Sequence, residues 1–198
     1  MKQQIIVIHG ADTFTTYEDY IRSLENRTME LESINKKSWK SRLGSDLGSE
    51  YEVYLPQMPN KDNAKYKEWK IIFDKILPLL DKDAIFIGHS MGAIFLAKYF
   101  SESDTGEVKA LFLVAPPYED SAEESLDDFN FTADLSLLSK QVKNIFIYHS
   151  KDDYVVPFAH GEEYAKRLPG SRFKVFEDRG HFNQETFPEI LEDIQSIH

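Results

Sequence analysis

The amino-acid sequence predicts an α/β fold in which one mostly parallel, six-stranded sheet carries helices on both faces. Six short runs rich in β-branched and aromatic residues alternate along the chain with longer stretches of helical periodicity. Such alternation is typical of parallel strands joined by crossover helices. The chain has 198 residues, of which 41% are hydrophobic, so it is long and apolar enough to bury one core of its own.

The strands and helices follow from the spacing of apolar residues. The predicted strands cover residues 3–8, 51–55, 83–87, 108–114, 143–149 and 172–176. In the first clear helical pattern, Trp39, Leu43 and Leu47 recur every fourth residue and the pattern stops at Gly48. The predicted helices cover residues 38–47, 64–77, 91–100, 159–168 and 187–197.

Two segments do not fit a simple alternation of strands and helices. Residues 12–37 are too long for one strand-to-helix loop, and Tyr17, Tyr20, Ile21 and Leu24 are spaced like one face of a helix, which predicts a helical insertion. Residues 118–134 contain seven acids, no bases and two phenylalanines, and we expect a solvated, cap-like loop. Since neither segment resembles a linker, residues 1–198 are predicted to form a single domain.

Composition excludes several classes of function. The chain has 23 Lys and Arg against 34 Asp and Glu, a net charge of −11, which disfavours binding to nucleic acid or to an anionic membrane. It contains no cysteine, so disulfides, thiolate catalysis and cysteine-ligated metals are excluded. Residues 1–10 have one Lys and four consecutive apolar residues, far short of a signal peptide or membrane span, so we expect a cytoplasmic location.

The stretch GHSMG, residues 88–92, lies between the third predicted strand and an apolar helix. Small residues on both sides of a central serine are required where a strand turns sharply into a helix, because the turn crowds those neighbours. Ser90 would then be exposed above the sheet as a nucleophile, with the Met91 N–H directed at any oxyanion formed there. A simple Gly-Ser loop is the alternative, but it would require neither the strand nor the helix.

A serine nucleophile needs a base and an acid that orients the base. Of the six histidines, His181 is the candidate base, because it follows the last predicted strand in a loop that contains Gly180. The acid should follow the fifth strand, where Asp152 and Asp153 lie; we prefer Asp153, although a simple turn would also explain the pair. The order Ser90, Asp153, His181 is the one expected for a three-layer α/β-hydrolase fold.

The remaining site assignments are less constrained. The second oxyanion donor is predicted to be the N–H of Ala11, in the loop after the first strand, with Asp12 as the alternative. A basic cluster in and just before the predicted helix at 38–47 is expected to be a solvated helix face. An apolar acyl pocket could be formed by aromatic residues, although core or cap packing is the commoner role. The pocket candidates are Tyr118, Phe129, Phe131, Tyr154 and Phe182, and the basic cluster is Lys36, Lys37, Lys40 and Arg42.

Several stretches resemble a known family. These include VIHG at 7–10, YEVYLPQMPN at 51–60, IFIGHSMGAIFLAKYF at 85–100, DDYVVP at 152–157 and RGHF at 179–182. They resemble the α/β-hydrolase superfamily and, within it, small single-domain serine hydrolases similar to retinoblastoma-binding protein nine. The resemblance implies an esterase-like or amidase-like activity without metal or cofactor, and it favours Asp153 over Asp152. The segment 11–37 is longer than in the smallest members, which suggests a helical flap over the site.

Together these observations predict a serine hydrolase that cleaves a small acyl ester, amide or thioester through a Ser-His-Asp triad and an acyl-enzyme intermediate. Its partner would be a small acyl substrate, not nucleic acid or a membrane. The alternative is a binding or regulatory protein that keeps the fold but has lost turnover. The presence of all three candidate catalytic residues weighs against that alternative.

Overall fold

A computed structural model of the chain describes residues 2–31, 37–121, 125–130 and 134–197. One six-stranded sheet runs through the domain in the order β2-β1-β3-β4-β5-β6, and all five pairings are parallel. The strands are β1 (Gln3–Ile8), β2 (Tyr51–Tyr54), β3 (Ile85–His89), β4 (Val108–Val114), β5 (Val142–Ser150) and β6 (Arg172–Phe176). The predicted α/β class and the number of strands are confirmed.

Strand β3 differs most from its predicted bounds, and the difference concerns the GHSMG stretch. The prediction placed this strand at 83–87, whereas the pairing with β4 continues until His89 lies opposite Val114. Strand β3 therefore ends directly at Ser90. Strands β1, β4 and β6 have the predicted bounds.

The helices of the described residues lie between the strands. They are α1 (Tyr17–Asn26), α2 (Trp39–Leu47), α3 (Tyr66–Ile76), α4 (Met91–Glu102), α5 (Ser136–Gln141), α6 (Phe158–Arg167) and α7 (Pro188–Gln195). Helix α3 passes into a 3₁₀ turn, Leu77–Leu79, at Pro78, which cannot continue an α-helix. The short helix α5 lies in a region where the periodicity predicted no helix.

Alternate residues of the strands face opposite cores, which makes three layers. On β1, Ile6 and Ile8 pack in one core with α3 and α4, whereas Ile5 and Val7 pack in the other with α2 and α7. Helix α4 is buried along most of its length, as its apolar sequence predicts. The two cores hold the carboxyl ends of the strands rigidly, and these ends form one edge of the sheet.

The predicted insertion forms helix α1, but this helix packs loosely. None of its residues is buried, and Tyr17 is 66% exposed. Just beyond it, the Arg27 guanidinium donates to Asp12 Oδ2 at 3.0 Å and to Asp62 Oδ1 at 2.8 Å. The insertion is therefore held to the carboxyl edge of the sheet by ion pairs. Residues 32–36 of this segment lie outside the described residues.

Within the described part of the acidic segment, Glu119, Asp120, Asp128 and Asp134 are exposed, and the segment also makes specific contacts with α3. A 3₁₀ turn, Asp127–Phe129, brings its carboxylates to the start of α3. Asp128 Oδ1 accepts a 2.8 Å hydrogen bond from the Tyr66 N–H, and Asp127 pairs with Lys65. Because the first N–H groups of a helix lack partners within the helix, these acids serve as a cap supplied from a distant part of the chain.

Within the described part of the chain, no helix combines the length and the apolar character that crossing a membrane requires.

Candidate active site

The candidate nucleophile lies at the turn from β3 into α4. Ser90 has φ 54° and ψ −122°, a conformation that costs a non-glycine residue about 1–3 kcal/mol. Its N–H donates to Val114 O at 2.9 Å, and β3 and α4 hold it on both sides. The surrounding core therefore imposes the strained backbone, as expected where a side chain must project from a sharp turn.

The two glycines of GHSMG are required by close backbone contacts. A Cβ on Gly88 would lie 2.4 Å from Gly92 O, and a Cβ on Gly92 would lie 2.3 Å from Ile8 O and 2.7 Å from His9 O. Both positions exclude any side chain. The simple Gly-Ser loop considered as the alternative would not pack α4 against the end of β1 in this way.

The candidate base and acid lie next to each other. His181 Nδ1 is 2.9 Å from Asp153 Oδ2 and 3.1 Å from Oδ1, and the Asp153 side chain is fully buried. Asp153 Oδ1 also accepts from the N–H groups of Val155 at 2.9 Å and Val156 at 3.0 Å. Since a buried carboxylate accepts hydrogen bonds from these donors, His181 carries its proton on Nδ1 and keeps Nε2 as an acceptor.

Asp152, the alternative acid, has a different position. Its Oδ1 accepts from Ser150 Oγ at 2.5 Å and from the Gly180 N–H at 2.8 Å. These bonds lower the pKa of Asp152, the Ser150 hydroxyl contributing most. Asp152 thus faces the backbone of the histidine loop and not the imidazole. It fixes the loop that presents His181.

The neighbouring histidines have their ring nitrogens engaged. His9 Nδ1 donates to Gly10 O at 2.8 Å, and its Nε2 accepts from the Met58 N–H at 2.9 Å. His89 Nε2 donates to His181 O at 2.8 Å. Burial is the main cause that lowers the pKa of both His9 and His89, so both are neutral. Of the three histidines that line the cavity, His181 is the one with an unengaged nitrogen.

His149 lies behind the acid, buried near the end of β5. Its Nε2 donates to Val156 O at 3.0 Å and is 3.7 Å from Asp153 Oδ2. Burial lowers the pKa of His149. Gly161 is small because a Cβ there would lie 2.6 Å from His149 Nδ1. His149 therefore supports the acid from the core side.

The backbone N–H groups of Met91 and Ala11, both near Ser90, have no acceptor within the described residues. Ala11 also lines the cavity beside Ser90. The N–H of Asp12, the alternative second donor, is engaged with Lys61 O at 2.9 Å. This hydrogen bond favours Ala11 over Asp12.

Ser90, His181 and Ala11 open into one cavity of about 460 Å³. Most of the residues that line it have polar side chains, among them Lys40, Gln57, Lys61, Asp62 and Asn183. Sequence reasoning assigned none of these residues to the site. Gln57 lies within a stretch that resembles the family, and Asn183 directly follows one. This position is the feature of the sequence that could have indicated that they belong to the site.

The aromatic residues proposed for an acyl pocket lie elsewhere. Phe129 and Phe182 are fully buried in the two cores, and Tyr118 packs edge-to-face on Tyr164. Tyr154 is 72% exposed and lies against Gly180. None of these four residues lines the cavity with Ser90. For Phe129 and Phe182 the reason is that a large apolar side chain is stabilised most by full burial. Phe131 lies outside the described residues.

The basic cluster is also not a uniformly solvated face. Lys37 is exposed and Arg42 pairs with Glu185 and Asp46, but Lys40 turns into the cavity. Burial lowers the pKa of Lys40 to about 8. The expectation of a solvated position is wrong for Lys40, because α2 packs against the histidine loop. Lys36 lies outside the described residues.

A metal-dependent site finds no support in the described ranges, where no three His, Asp or Glu side chains are grouped to hold an ion.

Comparison with known proteins identifies the fold and the family of the chain. The rat protein serine hydrolase RBBP9 is 29% identical over 150 residues, which cover 74% of this chain and 78% of the relative. The solved ydeN gene product of B. subtilis superposes with a TM-score of 0.77 at 18% identity, covering 99% of this chain and 98% of that one. An esterase of Exiguobacterium antarcticum, EaEST, superposes with a TM-score of 0.64 at 14% identity, covering 98% and 91%. These structures share the α/β-hydrolase fold. The serine hydrolase family matches residues 31–195, so this chain belongs to the serine hydrolase family.

Proposed function

We propose that the protein hydrolyses a small acyl ester, or a related amide or thioester, through a Ser90-His181-Asp153 triad and an acyl-enzyme intermediate. One observation carries the proposal: the buried Asp153 pairs with His181 at 2.9 Å, and His181 shares its cavity with the strained Ser90. A nucleophile, a base and an orienting acid are thereby grouped at one edge of the sheet.

In the acylation step, Ser90 Oγ attacks the acyl carbonyl while His181 Nε2 takes its proton. The hydrogen bond between these two groups is not formed in the structure, although both line the cavity. Such bonds often form only when substrate is bound. The imidazolium is stabilised by Asp153, whose charge is already buried and hydrogen-bonded.

The tetrahedral intermediate carries an oxyanion that needs donors. The N–H groups of Met91 and Ala11 have no other acceptor within the described residues, and Met91 is the first residue of α4. A donor of this kind contributes about 3–4 kcal/mol in serine hydrolases. The imidazolium then protonates the leaving group, and water releases the acyl group by the reverse sequence.

The size and lining of the cavity restrict the substrate. About 460 Å³ lies in the lower half of the range of roughly 300–1,000 Å³ that is usual for small-molecule sites. The polar side chains that line it offer hydrogen-bond partners for polar groups of the substrate.

Labelling with a fluorophosphonate tests the proposal. Wild type should be labelled under native conditions, Ser90→Ala should not, and His181→Ala should be labelled at least about 10³-fold more slowly. Ser45→Ala, an exposed serine of α2, is the matched control and should behave as wild type. Absence of label on folded wild type would refute the enzyme reading and favour a binding protein. Label that survives Ser90→Ala would refute the choice of nucleophile.

A matched panel of one acyl group as aryl ester, thioester and anilide then identifies the bond that is cleaved. The ester should give the highest kcat/KM, since no described group beside the triad is placed to assist an amine leaving group. A higher kcat/KM for the anilide would contradict the ester assignment while leaving the triad intact.

A further inference from the structure

Lys40 is a cation in the cavity without an anionic partner. Within the described residues its Nζ contacts His89 Nδ1 at 3.3 Å and lies 5.1 Å from the centre of the Trp39 ring, but it meets no carboxylate within 4.0 Å. Burying an unpaired charge costs free energy. An anionic group of a bound ligand would pair with Lys40 and remove this cost.

The acids that share the cavity are engaged elsewhere. Asp12 and Asp62 both bond to Arg27, at 3.0 and 2.8 Å. Asp62 also lies 3.9 Å from the ammonium of Lys61. Lys40 therefore differs from Lys61, which also lines the cavity, because Lys61 already has an acidic partner.

The His89 contact fixes the direction of the Lys40 hydrogen bond. His89 Nε2 must donate to His181 O, which can only accept, so the neutral ring has its lone pair on Nδ1. Lys40 Nζ therefore donates to Nδ1. An ammonium has three N–H donors, so two remain for a ligand in the cavity.

Lys40 and the proposed nucleophile Ser90 line the same cavity. Gly10 stands between them: a Cβ there would be 3.1 Å from Ser90 Cβ and 3.4 Å from His89 Nδ1. The wall therefore runs from Ser90 past Gly10 and His89 to Lys40. A substrate whose carbonyl meets Ser90 can place a nearby anionic group at Lys40.

We propose that Lys40 binds a carboxylate of the substrate, so that the preferred substrates are acyl esters carrying a carboxylate close to the scissile carbonyl. This inference rests on the proposed function, and it adds the chemical class of the substrate. Lys40 acts as a specificity-determining residue. The net charge of −11 repels anions over the whole molecule, so selectivity for a carboxylate must come from this local contact.

The titration of Lys40 supplies an independent readout. Burial lowers its pKa to about 8. His89 and His9 lie near it, and Lys61, His181, Asp12 and Asp62 line the same cavity. Lys40 is a cation below about pH 8 and becomes neutral above it. Selectivity for a carboxylated substrate should therefore fall as the pH rises through this value.

The experiment compares the p-nitrophenyl monoester of glutaric acid with p-nitrophenyl valerate. The readout is the ratio of their kcat/KM values. A loss of activity that affects both esters equally cancels in this ratio, and so does the titration of the base that both reactions use. Wild type should favour the glutarate ester at pH 7, and Lys40→Met should lower the ratio about tenfold, or ~1.4 kcal/mol. Lys37→Met removes the same charge from an exposed position and should keep the ratio of wild type. Lys40→Arg should retain the ratio above pH 8, where wild type loses it.

The outcomes separate the two proposals. Hydrolysis of both esters with an equal ratio in wild type and Lys40→Met would overturn the carboxylate site and leave the proposed function standing. If neither ester is hydrolysed, the proposed function fails for these esters, and calorimetry with glutarate then decides about Lys40. Binding to wild type that is lost in Lys40→Met supports the site, whereas equal binding or none overturns it.

Discussion

Replacing Gly92 by alanine tests whether the elbow is as tightly packed as the structure indicates. A methyl group there would lie 2.3 Å from Ile8 O and 2.7 Å from His9 O, well inside the roughly 3.5 Å at which nonbonded atoms attract. Because both obstacles are backbone atoms at the end of β1, they cannot move independently. We expect an overpacking cost of about 3 kcal/mol, offset by about 1 kcal/mol from the better helix propensity of alanine.

Gly44→Ala is the matched control. Gly44 is also a helical glycine, but a Cβ there would lie 3.6 Å from Val53, which is an ordinary contact. This variant should gain about 1 kcal/mol from helix propensity alone. Urea denaturation should therefore separate the unfolding free energies of the Gly92 and Gly44 variants by about 3 kcal/mol, with unchanged m-values.

The same variants report on the site. Ile8 and His9 lead directly into the loop with Ala11, so displacing them shifts the candidate oxyanion donor. Misplacement by about 1 Å can cost roughly 10²-fold in rate, and the Gly92 variant should be labelled by a fluorophosphonate at least tenfold more slowly than the Gly44 variant. Equal stability and labelling of the two variants would refute the steric reasoning.

Three further predictions follow from other contacts. Asp153→Asn should lower kcat by about 10³–10⁴-fold because His181 loses its tautomer, whereas Asp152→Asn should mainly lower the free energy of unfolding in urea denaturation. Burial lowers the pKa of His149, so below about pH 6.5 the unfolded chain binds a proton that the folded chain does not. The free energy of unfolding therefore falls as the pH falls, by up to about 1.4 kcal/mol per pH unit, and His149→Gln should reduce this loss. Arg27→Ala should speed proteolysis near α1 and change global stability by less than about 1 kcal/mol.

Each of these predictions has an outcome that contradicts it. Similar kcat values for the Asp153 and Asp152 variants would mean that the imidazole is oriented by another group. An unchanged pH slope in the His149 variant would mean that its proton uptake is the same in both states. Unchanged proteolysis of the Arg27 variant would mean that the insertion is held by contacts other than its ion pairs.

The sharp turn at Ser90 and the proximity of Asp153 to His181 could be predicted because short sequence stretches determine them. Gly88 and Gly92 are required within one turn, and Asp153 and His181 follow strands whose carboxyl ends meet at one edge. The role of Asp152 could not be predicted, because it depends on a hydrogen bond to Gly180 across the loop. The buried aromatics were misassigned because composition does not distinguish a cavity wall from a core.

The polar residues that line the cavity were missed for a related reason: their position depends on packing between distant segments. Helix α2 is joined to the histidine loop by hydrogen bonds from Trp39 Nε1 to Phe182 O at 2.9 Å and from the Trp39 N–H to Gln184 O at 3.1 Å. These bonds place Lys40 inside the cavity, where the periodicity of α2 alone would leave it on the surface. The same bonds fix the residue after His181. Because one helix positions both groups, the base and the cation that we assign to substrate selection cannot move independently, and a change in α2 packing would alter rate and specificity together.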